Sequence, residues 1–242
     1  MLTQSTAWHD FTKARLHQIR RLKELEPVLY DRRCCRHPYL EMPVYEIYRD
    51  CCNDEARRLL FEHNLRYDLT VMPPLLLGEE YVKTMGHHHL PNGSASPHPE
   101  VFEVLEGEAR FILQEERLGK LVKVILLTVK EGEKIVVPGD RGHVMINASS
   151  RRLVTGNLLS LDCNQTYDQY IKRRGAAFYV LNSGIVENAR YSQLPEVQLL
   201  GGETPSSLAG PSGLIETFLK DPDQLSFMNH LSARLPEHTG PW

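Results

Sequence analysis

KTMGHHHLPNGSASPHPEVFEVLEG, residues 83–107, holds three consecutive histidines, His87, His88 and His89, and then His98 and Glu100. The run is internal to the chain, so a purification tag does not explain it. On an extended strand alternate side chains share a face, so His87 and His89 point one way and His88 the other. Two imidazoles on one face can grip a single metal ion. Glu100 opens the strand-like EVFEVL after a loop long enough to bring it opposite them. A third imidazole, His143, comes from GHVMIN after the turn Pro138-Gly139-Asp140-Arg141-Gly142. The set His87, His89, Glu100 and His143 leaves two positions open on a six-coordinate ion. Imidazole with one carboxylate suits iron, nickel, manganese, cobalt or zinc. His98 is an alternative to one of these ligands because it stands so near Glu100. A lone histidine is more often a surface or hydrogen-bonding residue, which is the plainer reading of His88 and His98.

Around this stretch the sequence reads as many short strands. RYDLTVMPPLLL, EEYVKTMGHHH, EVFEVL, ARFILQEE, KLVKVILLTVK, EKIVVP, HVMINA, RRLVTGNLLSL and AAFYVLNS are separated by Gly, Pro, Asn and acidic turns. Such spacing predicts an antiparallel sandwich or barrel. LEGEA, residues 105–109, reads as a hairpin turn, with Gly107 free to take positive φ.

The flanks differ in character. In AWHDFTKARLHQIRRLKELE, residues 7–26, Phe11, Leu16, Ile19, Leu22 and Leu25 recur near helical spacing, which predicts a helix. A second helix is expected over 53–64, with Asn53 as N-cap and acidic residues in its first turn. QLLGGETPSSLAGPSG reads as a linker. LIETFLKDPDQLSFMNHLSARL, residues 214–235, reads as a helix interrupted near Pro222. The expected division is an N-terminal helical or extended segment over 1–64, a β-barrel domain over 65–185, and a linker with a helical extension over 186–242.

The 242 residues are 41% hydrophobic and 24% charged, as in ordinary globular chains. A net charge of −3 gives no strong attraction to nucleic acid or an anionic membrane. No apolar run approaches the roughly 20 residues needed to span a bilayer. The opening MLTQSTAWHDFTKAR lacks the apolar core of a secretory signal. Five cysteines, Cys34-Cys35, Cys51-Cys52 and Cys163, fit no common zinc spacing and are read as reduced thiols. Cytoplasmic location is the resulting expectation.

Gly86, His87, His89, Glu100 and Gly107, followed by Gly132, Pro138, His143 and Asn147, resemble the two sequence motifs of the cupin superfamily. That resemblance implies a mainly β fold, a double-stranded β-barrel (cupin or jelly roll), here with N-terminal and C-terminal helical extensions. The gap from His89 to Glu100 is longer than usual, and PNGSASPHP reads as an enlarged loop. Asp140 stands where the second motif usually has glycine.

RYDLTVMPPLLLGEEYVKTMGHHH with EVFEVLEGEARFILQ is similar to the cupin-type, metal-dependent phosphoglucose isomerases known mainly from archaea. TYDQYIKRRG, residues 166–175, is similar to a later segment of theirs. The resemblance runs from about residue 45 to about residue 180, and its KT-GH-H part is the most specific.

The resemblance implies one divalent ion per chain, with Fe2+ favoured over Ni2+, Mn2+, Zn2+ and Co2+, held by His87, His89, Glu100 and His143. It also implies that Thr70, Thr84, Gly86 and Tyr167 hold a sugar phosphate. Hydroxyls and a bare backbone N–H can donate to phosphate oxygens. Lys83 is a further source of positive charge, or else a solvated edge residue. The chain departs from the family at Phe102, where tyrosine is usual, in GNLLSL near residue 159, and at Gln165, where histidine is common.

The activity implied is interconversion of glucose 6-phosphate and fructose 6-phosphate, in glycolysis or gluconeogenesis, with Glu100 as catalytic base and a homodimer as the assembly. The alternatives are another metal-cupin enzyme, such as a dioxygenase or an isomerase of a different sugar phosphate, and a non-catalytic sugar-binding cupin.

Overall fold

The computed structural model describes residues 16–91 and 96–229. Its strands, in chain order, begin with β1 (Leu16–Arg21), β2 (Pro43–Tyr48), β3 (Leu65–Met72), β4 (Leu76–Leu77), β5 (Glu80–Tyr81) and β6 (His88–Leu90). The central run is β7 (Glu100–Glu106), β8 (Glu108–Arg117), β9 (Lys120–Lys130), β10 (Lys134–Val137), β11 (Arg141–Ile146) and β12 (Leu153–Ser160). After them come β13 (Asn164–Thr166), β14 (Phe178–Leu181), β15 (Gly184–Glu187) and β16 (Val197–Gly201). The α-helices are short: α1 (Leu22–Leu25), α2 (Asp54–Glu62), α3 (Asp168–Lys172) and α4 (Leu214–Lys220).

The chain is mainly β, as expected. One sheet has the order β1-β2-β3-β12-β7-β10 and a second the order β11-β8-β9-β16. From β9 to β12 successive strands alternate between the two sheets, the jelly-roll pattern. An apolar core including Phe102, Val104, Phe111, Ile135, Val137 and Val144 lies between them. The Phe102 and Phe111 rings meet at 5.1 Å. A second core covers the other face of the six-stranded sheet. There Ala56 and Leu60 of α2 and Leu214 and Phe218 of α4 pack with Leu69, Val101, Val136 and Leu158. The six-stranded sheet is therefore buried on both sides, which is why β12 has no polar–apolar alternation in its exposure.

Gly107 does not close a hairpin. β7 and β8 belong to different sheets, and the glycine bends the chain from one to the other. Its φ of +87° is left-handed, and a Cβ there would stand 2.5 Å from the Arg152 carbonyl oxygen. The turn residues were legible, but the partner strands were not.

The N-terminal helix expected over 7–26 is replaced, from residue 16, by a strand and one turn of helix. β1 pairs antiparallel with β2, Arg20 opposite Tyr45. Edge pairing satisfies this backbone better than an isolated helix does, and only Leu22 and Leu25 of the apolar series fall in α1. Residues 7–15 of that expectation lie outside the described residues. The helix after Asn53 forms as expected: the Asn53 side chain accepts from Ala56 N at 2.8 Å, a cap worth about 1 kcal/mol. The expected linker contains β16, which lies parallel to β9. The C-terminal helix breaks at Asp221, and Pro222 starts a 3-10 turn that runs to Met228; residues 230–235 lie outside the described residues.

Thus β1 and β2, from before residue 65, and β16, from after residue 185, join sheets built largely from strands between those positions. The five cysteines are free thiols, with Cys51 and Cys52 buried. Among the described residues, no helix is long and apolar enough to cross a membrane.

Candidate metal centre

The segment from Lys83 to His87 runs antiparallel to β11, with isolated bridges Lys83 to Ile146 and His87 to His143. His87 and His143 exchange both backbone hydrogen bonds, at 3.1 and 3.0 Å. Gly86, just before, has φ +79°, and a Cβ on it would lie 2.5 Å from Val144 and 2.7 Å from the Tyr170 ring. Only glycine allows the segment to lie this close to β11 and α3. The three histidines then divide as strand alternation requires. His87 and His89 face Glu100, while His88 turns away and packs on Tyr170, ring centroids 5.2 Å apart.

Glu100 reaches the same point from β7, where it pairs with Val137 and Leu159, and His143 reaches it from β11. Glu100 Oε2 lies 3.8 Å from His87 Nε2, 3.2 Å from His89 Nε2 and 3.4 Å from His143 Nε2. All four ligand-type atoms fall within 4.8 Å of one another. The other carboxylate oxygen, Oε1, accepts from Asn157 Nδ2 at 2.6 Å.

The donor set fits a divalent cation. Glu100 Oε2 and both ring nitrogens of His143 are buried without hydrogen-bond partners, and such groups are rare unless something else satisfies them. His89 Nδ1 donates to the His98 carbonyl at 2.6 Å, which fixes the ring with its Nε2 3.2 Å from Glu100 Oε2. Burial, with His143 beside it, pushes His87 down to about 3, so that imidazole is neutral. Burial works to raise Glu100, but the three imidazoles facing it, His143, His87 and His89, outweigh burial and hold the carboxylate well below its usual range. His98 is not part of the set: its ring Nδ1 is bonded to the Met228 carbonyl at 3.0 Å.

A pocket opens over the cluster, and Thr70, Thr84, Gly86 and Tyr167 all line it. The Thr84 hydroxyl oxygen accepts from Met145 N at 3.0 Å, which leaves its O–H free to donate. The Tyr167 ring lies 6.0 Å from His87, and its hydroxyl donates to Gln165 at 3.4 Å. Lys83 is neither a pocket residue nor a solvated one. It is 3% exposed, donates to the Val28 carbonyl at 2.5 Å and pairs with Glu80 at 3.2 Å. Phe102 lines the pocket with its ring 5.7 Å from His143.

The pocket also holds residues that sequence reading did not single out: Arg20, Tyr45, Arg49, Asp68 and Asn157. Asn157 was signalled only as one polar residue in an apolar strand, and its register opposite Phe102 and Asp68 is a tertiary fact. Arg20 was masked by the helical reading of its segment.

A family model described as glucose-6-phosphate isomerase (GPI) matches residues 19–196. A glucose-6-phosphate isomerase of Thermococcus gammatolerans is 25% identical over 179 residues, covering 72% of this chain and 87% of the relative. Among solved structures, an oxalate decarboxylase of Bacillus subtilis is similar over 51% of this chain, at 17% identity and TM-score 0.36. An oxalate oxidase in complex with glycolate is similar over 43%, at 17% identity and TM-score 0.33. The chain spans 28% and 46% of the lengths of these two solved structures.

Proposed function

The chain belongs to the glucose-6-phosphate isomerase family, and from that premise we propose that it interconverts glucose 6-phosphate and fructose 6-phosphate as a metal-dependent isomerase. The observation that carries the metal dependence is the meeting of three imidazole Nε2 atoms on Glu100 Oε2, which has no hydrogen-bond partner, at the floor of a hydroxyl-lined pocket. His87, His89, Glu100 and His143 would hold one divalent ion per chain, with Fe2+ our first choice. Such an ion supplies Lewis-acid stabilisation of charge developing on O1 and O2 of the open-chain sugar.

The chain's own residues do the rest. Thr70, Thr84, the Gly86 backbone and Tyr167 are suited to hold the sugar phosphate. Glu100 is the base. Its Oε1 is the oxygen away from the imidazoles, and Asn157 fixes its direction. The carboxylate removes the C2 proton of the aldose, and the electron pair left behind forms the C1–C2 double bond of an enediol. Forming the enediol moves the C1=O1 π pair to O1, which takes up a proton; Glu100 then returns a proton to C1 as the O2 hydroxyl gives one up, giving the ketose with no net proton change.

A coupled assay of purified protein with fructose 6-phosphate tests the reading. Activity should disappear on chelation and return with one of Fe2+, Mn2+, Zn2+ or Ni2+. Absence of turnover in the fully metal-loaded protein would overturn it. The reaction run in D2O should place deuterium at C1 or C2; a product with almost none would replace Glu100 as base by a hydride shift.

The proposed setting is cytoplasmic, in glycolysis or gluconeogenesis, and the proposed assembly is a homodimer. An uncovered edge strand is a liability in a monomer, and β16 is such an edge, with Leu199 64% exposed. Light scattering at micromolar concentration should give twice the 27.7 kDa chain mass; the single-chain mass would reject the dimer.

A further inference from the structure

We propose that Arg20 and Arg49 form the anion-gripping end of the pocket and bind the phosphate of the sugar whose C1 and C2 lie at the histidine–glutamate cluster. This rests on the phosphosugar reading above and assigns two residues to it that the sequence motifs did not.

Both guanidinium side chains line the pocket, and both come from the edge opposite Glu100. Arg20 is on β1, Arg49 directly follows β2, and Glu100 is on β7. From β2 to β7 the sheet takes three strand steps, about 14 Å at the usual spacing of about 4.8 Å. Two long side chains reaching back across that interval leave room for an open-chain hexose phosphate. Thr70, on β3, stands between the two ends. Tyr167 links them along the other wall: its ring lies 5.8 Å from the Arg20 guanidinium carbon and 6.0 Å from the His87 ring.

The local chemistry favours an incoming anion. Arg20 donates from Nη1 to Glu24 Oε1 at 3.0 Å, but its Nε is buried without a hydrogen-bond partner. A buried donor in that state is costly until an acceptor arrives. Arg49 is held by Asp68, which is 1% exposed. Asp68 also accepts from Arg66 Nε at 3.0 Å. One carboxylate thus serves two guanidiniums, so it orients Arg49 without cancelling the charge of both. Guanidinium forks match phosphate oxygens in pairs. Nearer the cluster, Phe102 offers no donor, and the two arginines add positive charge to the uncharged donors Thr70, Thr84, Gly86 and Tyr167.

Two readouts test this: kcat and KM for fructose 6-phosphate, and calorimetric binding of inorganic phosphate, which needs no turnover. Arg49→Met should raise KM about 10-fold to 100-fold with kcat within about 3-fold, the pattern of lost ground-state binding, and should weaken phosphate binding in parallel. Arg20→Lys keeps the charge and the reach to Glu24 but removes Nε, and should raise KM by about 5-fold to 20-fold. Arg66→Met removes the other partner of Asp68 from outside the pocket and should leave both readouts within about 2-fold of wild type. Unchanged KM and phosphate affinity in Arg49→Met and Arg20→Lys would overturn the inference, and so would an equal effect of Arg66→Met, which would make the role structural. If the wild type binds phosphate but turns nothing over, the isomerase reading falls, while loss of phosphate binding in Arg49→Met still upholds the arginine site. A wild type that binds neither phosphate nor fructose 6-phosphate overturns the site.

Discussion

Glu100 and Glu103 stand three residues apart on β7, on opposite faces of the same sheet, and both are buried, at 3% and 5% exposure. Their surroundings differ completely. Glu103 Oε1 accepts from the Tyr67 hydroxyl at 2.6 Å and Oε2 from Leu214 N at 3.0 Å. It caps α4, whose own N-cap residue, Gly213, has no side chain to do so. Burial pushes the Glu103 carboxyl up. Glu100 has one oxygen on Asn157 and the other among three imidazoles without a hydrogen-bond partner. A buried carboxylate is therefore not a functional sign by itself. The sign is an oxygen left unsatisfied and aimed into a pocket. Glu103 is a joint between sheet and helix, and Glu100 is a group held ready for chemistry.

The sharpest way to break this contrast is to remove each group in turn. Glu100→Gln keeps size and one ligand oxygen but loses the base. It should still bind some metal, with turnover down at least about 100-fold in the coupled assay. Full turnover by the metal-loaded variant would remove Glu100 from the role of base. His143→Ala should sharply lower metal content by elemental analysis, whereas His88→Ala, on the far side of the strand, should leave it near wild type. Equal content in the two variants would dissolve the proposed ligand set.

Glu103→Ala probes the other face. It strands the Tyr67 hydroxyl and Leu214 N, and chemical denaturation should show a loss of about 2–4 kcal/mol. Turnover of the folded protein should stay within about 3-fold. A large loss of turnover at unchanged stability would mean that the two faces are not separate. The smallest effect is expected from Phe102→Tyr. Its ring borders the pocket beside Asn157, and an added hydroxyl should leave activity unchanged or raise it slightly. A fall beyond about 10-fold would show that the apolar ring is itself required.

The same strand shows what was readable. EVFEVL is unmistakable as a strand, and alternation alone places Glu100 and Glu103 on opposite faces. Which face holds the histidines, and which holds α4, depends on segments 11 to 111 residues away, from the His89–Glu100 contact to the Leu214–Glu103 hydrogen bond. His87 and His89 were legible as a pair because two residues of strand suffice to put them on one side. Asn157, Arg20 and Arg49 were not, because each reaches the pocket only through the pairings of β12, β2 and β1. At residues 16–21 the local pattern was misleading: leucine and isoleucine spacing fits a helix, yet the segment lies as an edge strand on β2.

By itself, the sequence determined the mainly β character, the cap at Asn53, the break at Pro222 and the residue types able to gather at one ion, because these follow from local periodicity, turn chemistry and side-chain donors. The tertiary structure decided that Gly107 bends the chain between sheets, that Glu103 caps a distant helix and that two arginines reach the pocket from the far edge of the sheet. Strand order and register join residues far apart along the chain, and no local pattern encodes which strands will become neighbours.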